Sequence, residues 1–293
     1  MNQQVDIITL LKRKTSDGTP AEQRLAAVIL DDVSWAARNS ISDLARKAEV
    51  SEPTVSRLTA SLGLSGTKEL KLELAQALVI GGAYLAGKEY AEPNEDGDAL
   101  QFIANYAAKA IHDFQSQVEP ALVDEVAGHI ARARRIQLFG SGGISSATVQ
   151  EMEFRLFRLG LNVVTQVEGR MQRMTAALSD TDTVAIGFSL SGGATSVIDA
   201  LSIARQYGAR TIAIAPSDTQ LARIANHVIP YRYIEDGHVY KPNSSRFALM
   251  VLVDCLAYRT AQMLGPEVLE NLRRIKQTLT ISDAYDASVP LGD

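Results

Sequence analysis

Before residue 87 the hydrophobic pattern reads as helix throughout, with Thr19 placed as an N-cap and Pro20 at the first position of a helix reaching about Leu30. The segment from Gly87 to Ala99, GKEYAEPNEDGDA, gathers Gly, Pro, Asn and acidic residues and reads as a linker. A long amphipathic stretch follows from Leu100 to Arg135, and then the pattern changes. Two short apolar runs, Arg135 to Phe139 and Thr183 to Phe188, each end in a Gly/Ser-rich loop, GSGGISS and SLSGGATS. Each loop leads into a helical pattern that stops at a glycine, Gly160 or Gly208, and then into a further apolar run, LNVV or ARTIAIA. A strand, loop, helix, strand unit occurring twice predicts parallel strands joined by right-handed crossovers, with helices on both faces. A last long helix is expected from about Ser244 to Leu264, with Cys255 as a buried thiol, and the face carrying Phe154, Phe157 and Leu161 is expected in the core. The predicted organisation is an all-α domain over 1–86, a linker over 87–99, an α/β domain with its leading helix over 100–280, and a flexible tail over 281–293.

Composition narrows the class without naming a function. The 293 residues are 46% apolar and 22% charged, as in an ordinary globular protein, and offer enough length for about two domains. The longest apolar stretch, Leu78 to Gly87, falls far short of the ~20 residues a bilayer requires. The N-terminal residues lack a basic segment followed by an apolar one and a cleavage site, so a cytoplasmic location is expected. A single cysteine excludes an intrachain disulfide, and His112, His129, His227 and His238 show no metal-ligand spacing, so neither metal nor cofactor is expected. The net charge of −5 argues at first against a nucleic-acid partner. Residues 1–90, however, hold 11 of the 29 Lys/Arg and 11 of the 34 Asp/Glu, so the acidity belongs to the later part of the chain.

Within the helical part, Ser40-Ile41-Ser42-Asp43 has the spacing of a capping box that would start a short helix, and Ala45 and Ala48 are small enough for a second helix to pack closely. That second helix would begin at Ser51, with Pro53 tolerated in its first turn. Val55, Leu58 and Leu62 then share one face, while Pro53, Ser56, Arg57 and Ala60 lie on the other. Such a pair is a helix-turn-helix, which inserts the start of its second helix into the major groove, where Arg can bond bidentately to guanine. The stretch resembles the N-terminal domain of the RpiR family of bacterial transcription regulators. The resemblance is carried by Leu44-Ala45, Val50-Ser51, Thr54-Val55-Ser56-Arg57, Leu62-Gly63 and Leu70-Lys71 and spans roughly residues 5 to 80. A departure is Leu58, where the family commonly has an aromatic residue. Ser51, Thr54, Ser56, Arg57 and Lys68 are the expected DNA-binding residues.

The two Gly/Ser loops each stand between a strand and a helix, where backbone N–H groups and the helix N-terminus favour an anion. The first, Gly140 to Ser146, also reads as a degenerate dinucleotide fingerprint, but Ser145 stands where its third glycine belongs. Glu168, the nearest acidic candidate for a ribose, lies 28 positions beyond Gly140. The two loops together resemble the sugar isomerase (SIS) domain, the phosphosugar-binding module that follows the helix-turn-helix in RpiR-type regulators. That resemblance covers residues 120 to 275 and implies a Rossmann-like sandwich. It places phosphosugar contacts on Ser141, Gly143, Ser145 and Ser146 in the first loop, on Ser189, Ser191, Gly192 and Thr195 in the second, and on Ser245 before the last helix. The second loop departs from the family motif, because Ala194 occupies the threonine position and Thr195 comes one step later.

An isomerase needs a base of suitable pKa in addition to phosphate donors. Glu168, Glu235, Asp236 and His238 fall on expected loops, and none sits in a motif assignable to catalysis. The expected function is therefore a non-enzymatic, DNA-binding transcription regulator whose SIS domain senses a phosphorylated sugar or sugar acid. Its expected partners are a double-stranded operator, the sugar-phosphate effector and further copies of the chain in a homodimer or homotetramer, with no membrane. A phosphosugar isomerase or lyase with a helical assembly domain is the alternative, and a nicotinamide-binding domain a third reading.

Overall fold

In a computed structural model, residues 6–85, 98–233 and 242–282 are described, and they divide into two compact units. The first comprises α1 (Ile7–Asp17), α2 (Pro20–Asp31), α3 (Val33–Arg38), α4 (Ile41–Lys47), α5 (Glu52–Ser61) and α6 (Thr67–Leu85). Capping explains where these helices start. Thr19 and Ser40 each close a capping box, with Glu22 and Asp43 returning the bond to the cap residue's own N–H. Those bonds, the Ser40 side chain's first, hold the Asp43 carboxyl below its ordinary range. Leu11, Leu25, Ile29, Leu44, Leu58, Leu70 and Leu74 are fully buried in one core. Burying each such side chain contributes about 1.5–3 kcal/mol, which short helices of weak intrinsic stability need.

The second unit runs α7 (Ala99–Gln115), α8 (Pro120–Arg132), β1 (Arg135–Gly140), α9 (Gly143–Arg158), β2 (Val163–Gln166), α10 (Gly169–Ala176), β3 (Thr183–Phe188), α11 (Thr195–Gln206), β4 (Arg210–Ala215), α12 (Gln220–Ile224), β5 (His227–Pro230), α13 (Ser245–Leu264) and α14 (Glu267–Ser282). The sheet is parallel, in the order β2-β1-β3-β4-β5. The chain thus winds outward in one direction from β1 and in the other from β3. The two faces of the sheet are filled differently. Ile136, Leu138, Val184, Ile186, Ile212 and Ile214 meet α8, α9 and α13 on one side. Ala185, Ala213 and Ala215 join Phe139 against α11 on the other. Small residues let α11 approach closely: a Cβ on Gly187 would stand 2.9 Å from the Val197 side chain.

Several expectations change. The stretch from Leu100 to Arg135 is two helices rather than one, because Pro120 cannot continue a helix and instead opens α8. The expected linker lies outside the described residues except for Asp98, which caps α7, and Ala99, its first residue. Phe154 and Phe157 are 63% and 64% exposed rather than core. The side of α9 that packs is the one bearing Val149, Met152 and Leu156, while Leu161 is partly buried against the core. Cys255 is exposed rather than buried. Its neighbours Val253 and Leu256 take the inward positions of α13. Ile281 and Ser282, expected in the tail, end the unforeseen helix α14, and the tail beyond them lies outside the described residues. By length and composition α13 could cross a membrane. Here it is a core helix, with Ala248, Leu249, Leu252, Val253 and Leu256 packed on the sheet.

Candidate functional site

In the first unit, α4 and α5 form the helix-turn-helix. Ala45 and Ala48 are buried at the crossing, and Glu49 takes a left-handed φ of 52° that turns the chain into α5. The Ser42 hydroxyl donates to Glu52 across the turn and ties the two helices together. Val55, Leu58 and Leu62 are buried, leaving Pro53, Ser56, Arg57 and Ala60 exposed on one face of α5, with Ser51 exposed at its start. Lys68 is exposed in the first turn of α6. Thr54 departs from expectation: it is only 6% exposed, on the packed side. Its hydroxyl lies 2.9 Å from Ser51 Oγ and accepts a 2.9 Å bond from the Arg57 guanidinium. Thr54 thus braces two outward-facing residues instead of facing outward itself. Ser51 occupies the N-cap position, but its hydroxyl makes this side-chain contact in place of a backbone cap. Glu52 also lies on the exposed side, so the electrostatic attraction of this face for phosphate is modest.

In the second unit, the reversal of winding falls between β1 and β3. In open α/β sheets such a reversal marks the place, outside the C-terminal ends of the strands, where ligands bind. Both Gly/Ser loops start at this point. Gly140 pairs with Phe188, so Ser141 and Ser189 leave adjacent strands at the same level, a strand spacing of about 4.8 Å apart. The first loop turns at Gly142 (φ 86°), and α9 begins at Gly143. Helical geometry leaves the N–H groups of Gly143, Ile144 and Ser145 without intrahelical acceptors. Ser141 and Ser146 are half-buried, Gly143 is exposed, and Ser145 is buried in the first turn. Gly140 admits no side chain, because a Cβ would stand 2.5 Å from the Ser145 carbonyl oxygen.

The second loop is held more tightly. The Ser189 N–H donates to Ile214 O of β4, the Gly192 N–H to Ser189 O, and the Gly193 N–H to Ser191 Oγ. The Ser189 and Ser191 hydroxyls lie 3.5 Å apart, with Ser189 buried and Ser191 exposed. Gly192 is buried with φ 63° against Thr219. Ala194 takes the N-cap position of α11 with no side-chain cap, and Thr195 is the exposed first helical residue. Ser245 opens α13 fully buried, its Oγ without a partner among the described residues. The Ser244 N–H donates to Tyr233 Oη just beyond β5, which puts this helix start at the same edge of the sheet.

Sequence reasoning missed Gln172. This fully buried side chain of α10 donates from Nε2 to Gly140 O at 2.9 Å and Gln166 O at 3.1 Å, tying together the ends of β1 and β2. Its Oε1 has no partner among the described residues. Thr219, against Gly192, was missed as well. Glu168, considered for a ribose or a proton transfer, is the N-cap of α10. Its carboxylate accepts the Arg170 and Met171 N–H groups, which hold its pKa below the ordinary carboxylate range. Glu235, Asp236 and His238 lie outside the described residues.

Comparison with known proteins agrees with this architecture. Residues 5–80 match the helix-turn-helix domain of the rpiR family, and residues 129–259 match the SIS domain. The HTH-type transcriptional regulator HexR of Pseudomonas aeruginosa is 29% identical over 94% of this chain and 95% of its own length. The bifunctional protein glk of Burkholderia thailandensis is 31% identical over 83% of this chain but only 38% of its own length. Among solved structures, the Vibrio vulnificus NanR protein complexed with ManNAc-6P covers 96% of this chain and 100% of its own, at 20% identity and a TM-score of 0.60. With the helix-turn-helix and the SIS sandwich each found where the fold presents them, the chain belongs to the rpiR family, joining that family's DNA-binding domain to a C-terminal SIS domain.

Proposed function

We propose that the protein is a transcription regulator that binds operator DNA through α4 and α5 and senses a phosphorylated sugar or sugar acid at the β1/β3 switch point. The observation that carries the reading is the placement of the two Gly/Ser loops side by side at the β1/β3 switch point. Two helix N-termini and a set of serine hydroxyls meet there on adjacent strands, which suits a phosphate monoester. Support comes from the full-length relatives named as HexR regulators and from the ManNAc-6P held by NanR. Ser141, Gly143, Ser145, Ser146, Ser189, Ser191, Gly192, Thr195 and Ser245 are the residues assigned to the effector. Ser51, Ser56, Arg57 and Lys68 are assigned to DNA, with Thr54 positioning Ser51 and Arg57. Catalysis of sugar isomerisation is disfavoured at Glu168, whose carboxylate is committed to two backbone bonds and shifted away from the pKa of a general base. Because the reading face carries few charges, affinity depends on pairing two copies of the domain. The effector acts by preferring one arrangement of that pair, with a coupling of about 1–3 kcal/mol.

The test joins two measurements. A thermal-shift screen of phosphorylated sugars identifies an effector, since a ligand at 100 times its Kd stabilises by about 2.7 kcal/mol. Fluorescence anisotropy with an operator fragment then follows DNA binding with and without that effector. Arg57→Ala is expected to abolish specific binding while leaving the effector shift intact, and Ser191→Ala to weaken the effector response while leaving effector-free DNA binding intact. Turnover of a sugar phosphate without operator binding would overturn the proposal in favour of an isomerase.

A further inference from the structure

At the opposite edge of the sheet, the N-terminal end of β5, the fold brings together three side chains that are scattered in the sequence. Glu125 and His129 lie one turn apart on α8, and His227 is the first residue of β5. The Glu125 Oε1 lies 3.4 Å from His227 Nδ1 and 4.0 Å from His129 Nε2, and the three ligand atoms are all within 4.8 Å of one another. The imidazole rings are 4.8 Å apart and inclined at 44°. His129 Nε2 is buried and has no hydrogen-bond partner among the described residues, which leaves a strong ligand atom aimed into the cluster and unsatisfied.

We propose that Glu125, His129 and His227 form a binding site for a divalent transition-metal ion of the zinc class, separate from the sugar-phosphate site. Two imidazoles and a carboxylate suit zinc, cobalt or nickel rather than calcium or magnesium, which favour oxygen donors. Tetrahedral bonds of about 2.0–2.1 Å place donor atoms roughly 3.4 Å apart. The Glu125 and His227 pair already has that spacing, and His129 Nε2, at 4.0 Å from Glu125 Oε1, has to close in by side-chain rotation of His129 to complete the set. Such an ion would fasten α8 to β5. The surroundings also predict a distinctive behaviour. Arg210 Nη1 lies 3.2 Å from His227 Nε2, so in the metal-free protein that nitrogen accepts and Nδ1–H points to Glu125. Ligation through Nδ1 moves the ring proton to Nε2, where it faces the Arg210 donor, so Arg210 must swing away. Arg210 therefore opposes the metal by both charge and tautomer.

The test is titration of the chelator-treated full chain with Co²⁺, read by its visible d–d absorption, followed by displacement with Zn²⁺. One Co²⁺ per chain is expected, with binding weakened by about tenfold or more in His129→Gln and in His227→Gln. Arg210→Met is expected to tighten binding, and Cys255→Ser to leave it unchanged. Circular dichroism of each metal-free variant confirms its fold, and Glu125→Gln, at a half-exposed position, serves where a histidine variant unfolds. Absence of saturable binding, or affinity that survives loss of these ligands, overturns the proposal.

Discussion

The loops after β1 and after β3 leave neighbouring strands at the same level, yet they are stabilised in different ways. The first loop is short and is supported from below. Gly142 supplies the left-handed turn with open space around it, and Gln172 anchors the carbonyl of Gly140 from the adjacent helix α10. The second loop is pinned by its own hydrogen bonds, by β4 and by Thr219, whose side chain fills the space beside Gly192. At their turns, therefore, the first loop stands in open space above one buried amide, and the second rests on close packing. The difference implies that the turn of the second loop, at Gly192, tolerates substitution less than the turn of the first, at Gly142.

Substitution of the two left-handed glycines separates these cases. In Gly192→Ala a Cβ would stand 2.2 Å from Thr219 atoms in addition to adopting a left-handed φ, so a loss of about 3 kcal/mol is expected in chemical denaturation of the SIS unit. Gly142→Ala meets no atom within 4 Å and carries only the backbone penalty of its φ 86°, ψ 171° conformation, about 1–2 kcal/mol. Equal losses would show that packing against Thr219 does not distinguish the loops. A smaller effect is expected from Ala194→Thr, which gives α11 the N-cap side chain it lacks and restores the family motif. A gain of about 0.5–1 kcal/mol in stability is expected, with tighter effector binding in calorimetry if the motif position contacts phosphate. The smallest effect concerns pH. Glu168 has a pKa held below 4.5 in the folded protein, so its capping bonds add stability above that pH. As the pH falls below about 4.5 the unfolded chain takes up the proton first, and the contribution is lost through the lower folded value. Hydrogen exchange should show α10 and the first loop opening more readily as the pH falls below about 4.5, a pH dependence that Glu168→Gln would remove.

Much of this architecture was legible along the chain because its causes are local. The capping boxes at Thr19 and Ser40, the helical period of Val55, Leu58 and Leu62, and the glycines at 160 and 208 act over a few residues. The Gly/Ser loops were recognisable for the same reason. Other features depended on which side of an element met a neighbour. Phe154 and Phe157 have the apolar character of core residues, but α9 turns Val149, Met152 and Leu156 to the sheet and leaves them outside. Thr54 reads as a surface hydroxyl, yet it is buried beside Ser51 and Arg57. Gln172 reads as an ordinary polar position of a short helix, because its partners are carbonyl groups 6 and 32 residues away.

The sequence by itself determined two domains, the helix-turn-helix and its polar face, and a parallel α/β unit with two anion-suited loops. Each follows from short-range stereochemistry and the periodicity of apolar residues. Tertiary structure decided the rest. Strand order placed both loops on adjacent strands, Gln172 and Thr219 took supporting positions, and His129 and His227 met although they lie 98 positions apart in the chain. The physical reason is that local stereochemistry fixes what each segment can become, whereas contacts between distant segments arise from burying their apolar faces together, which no single segment encodes.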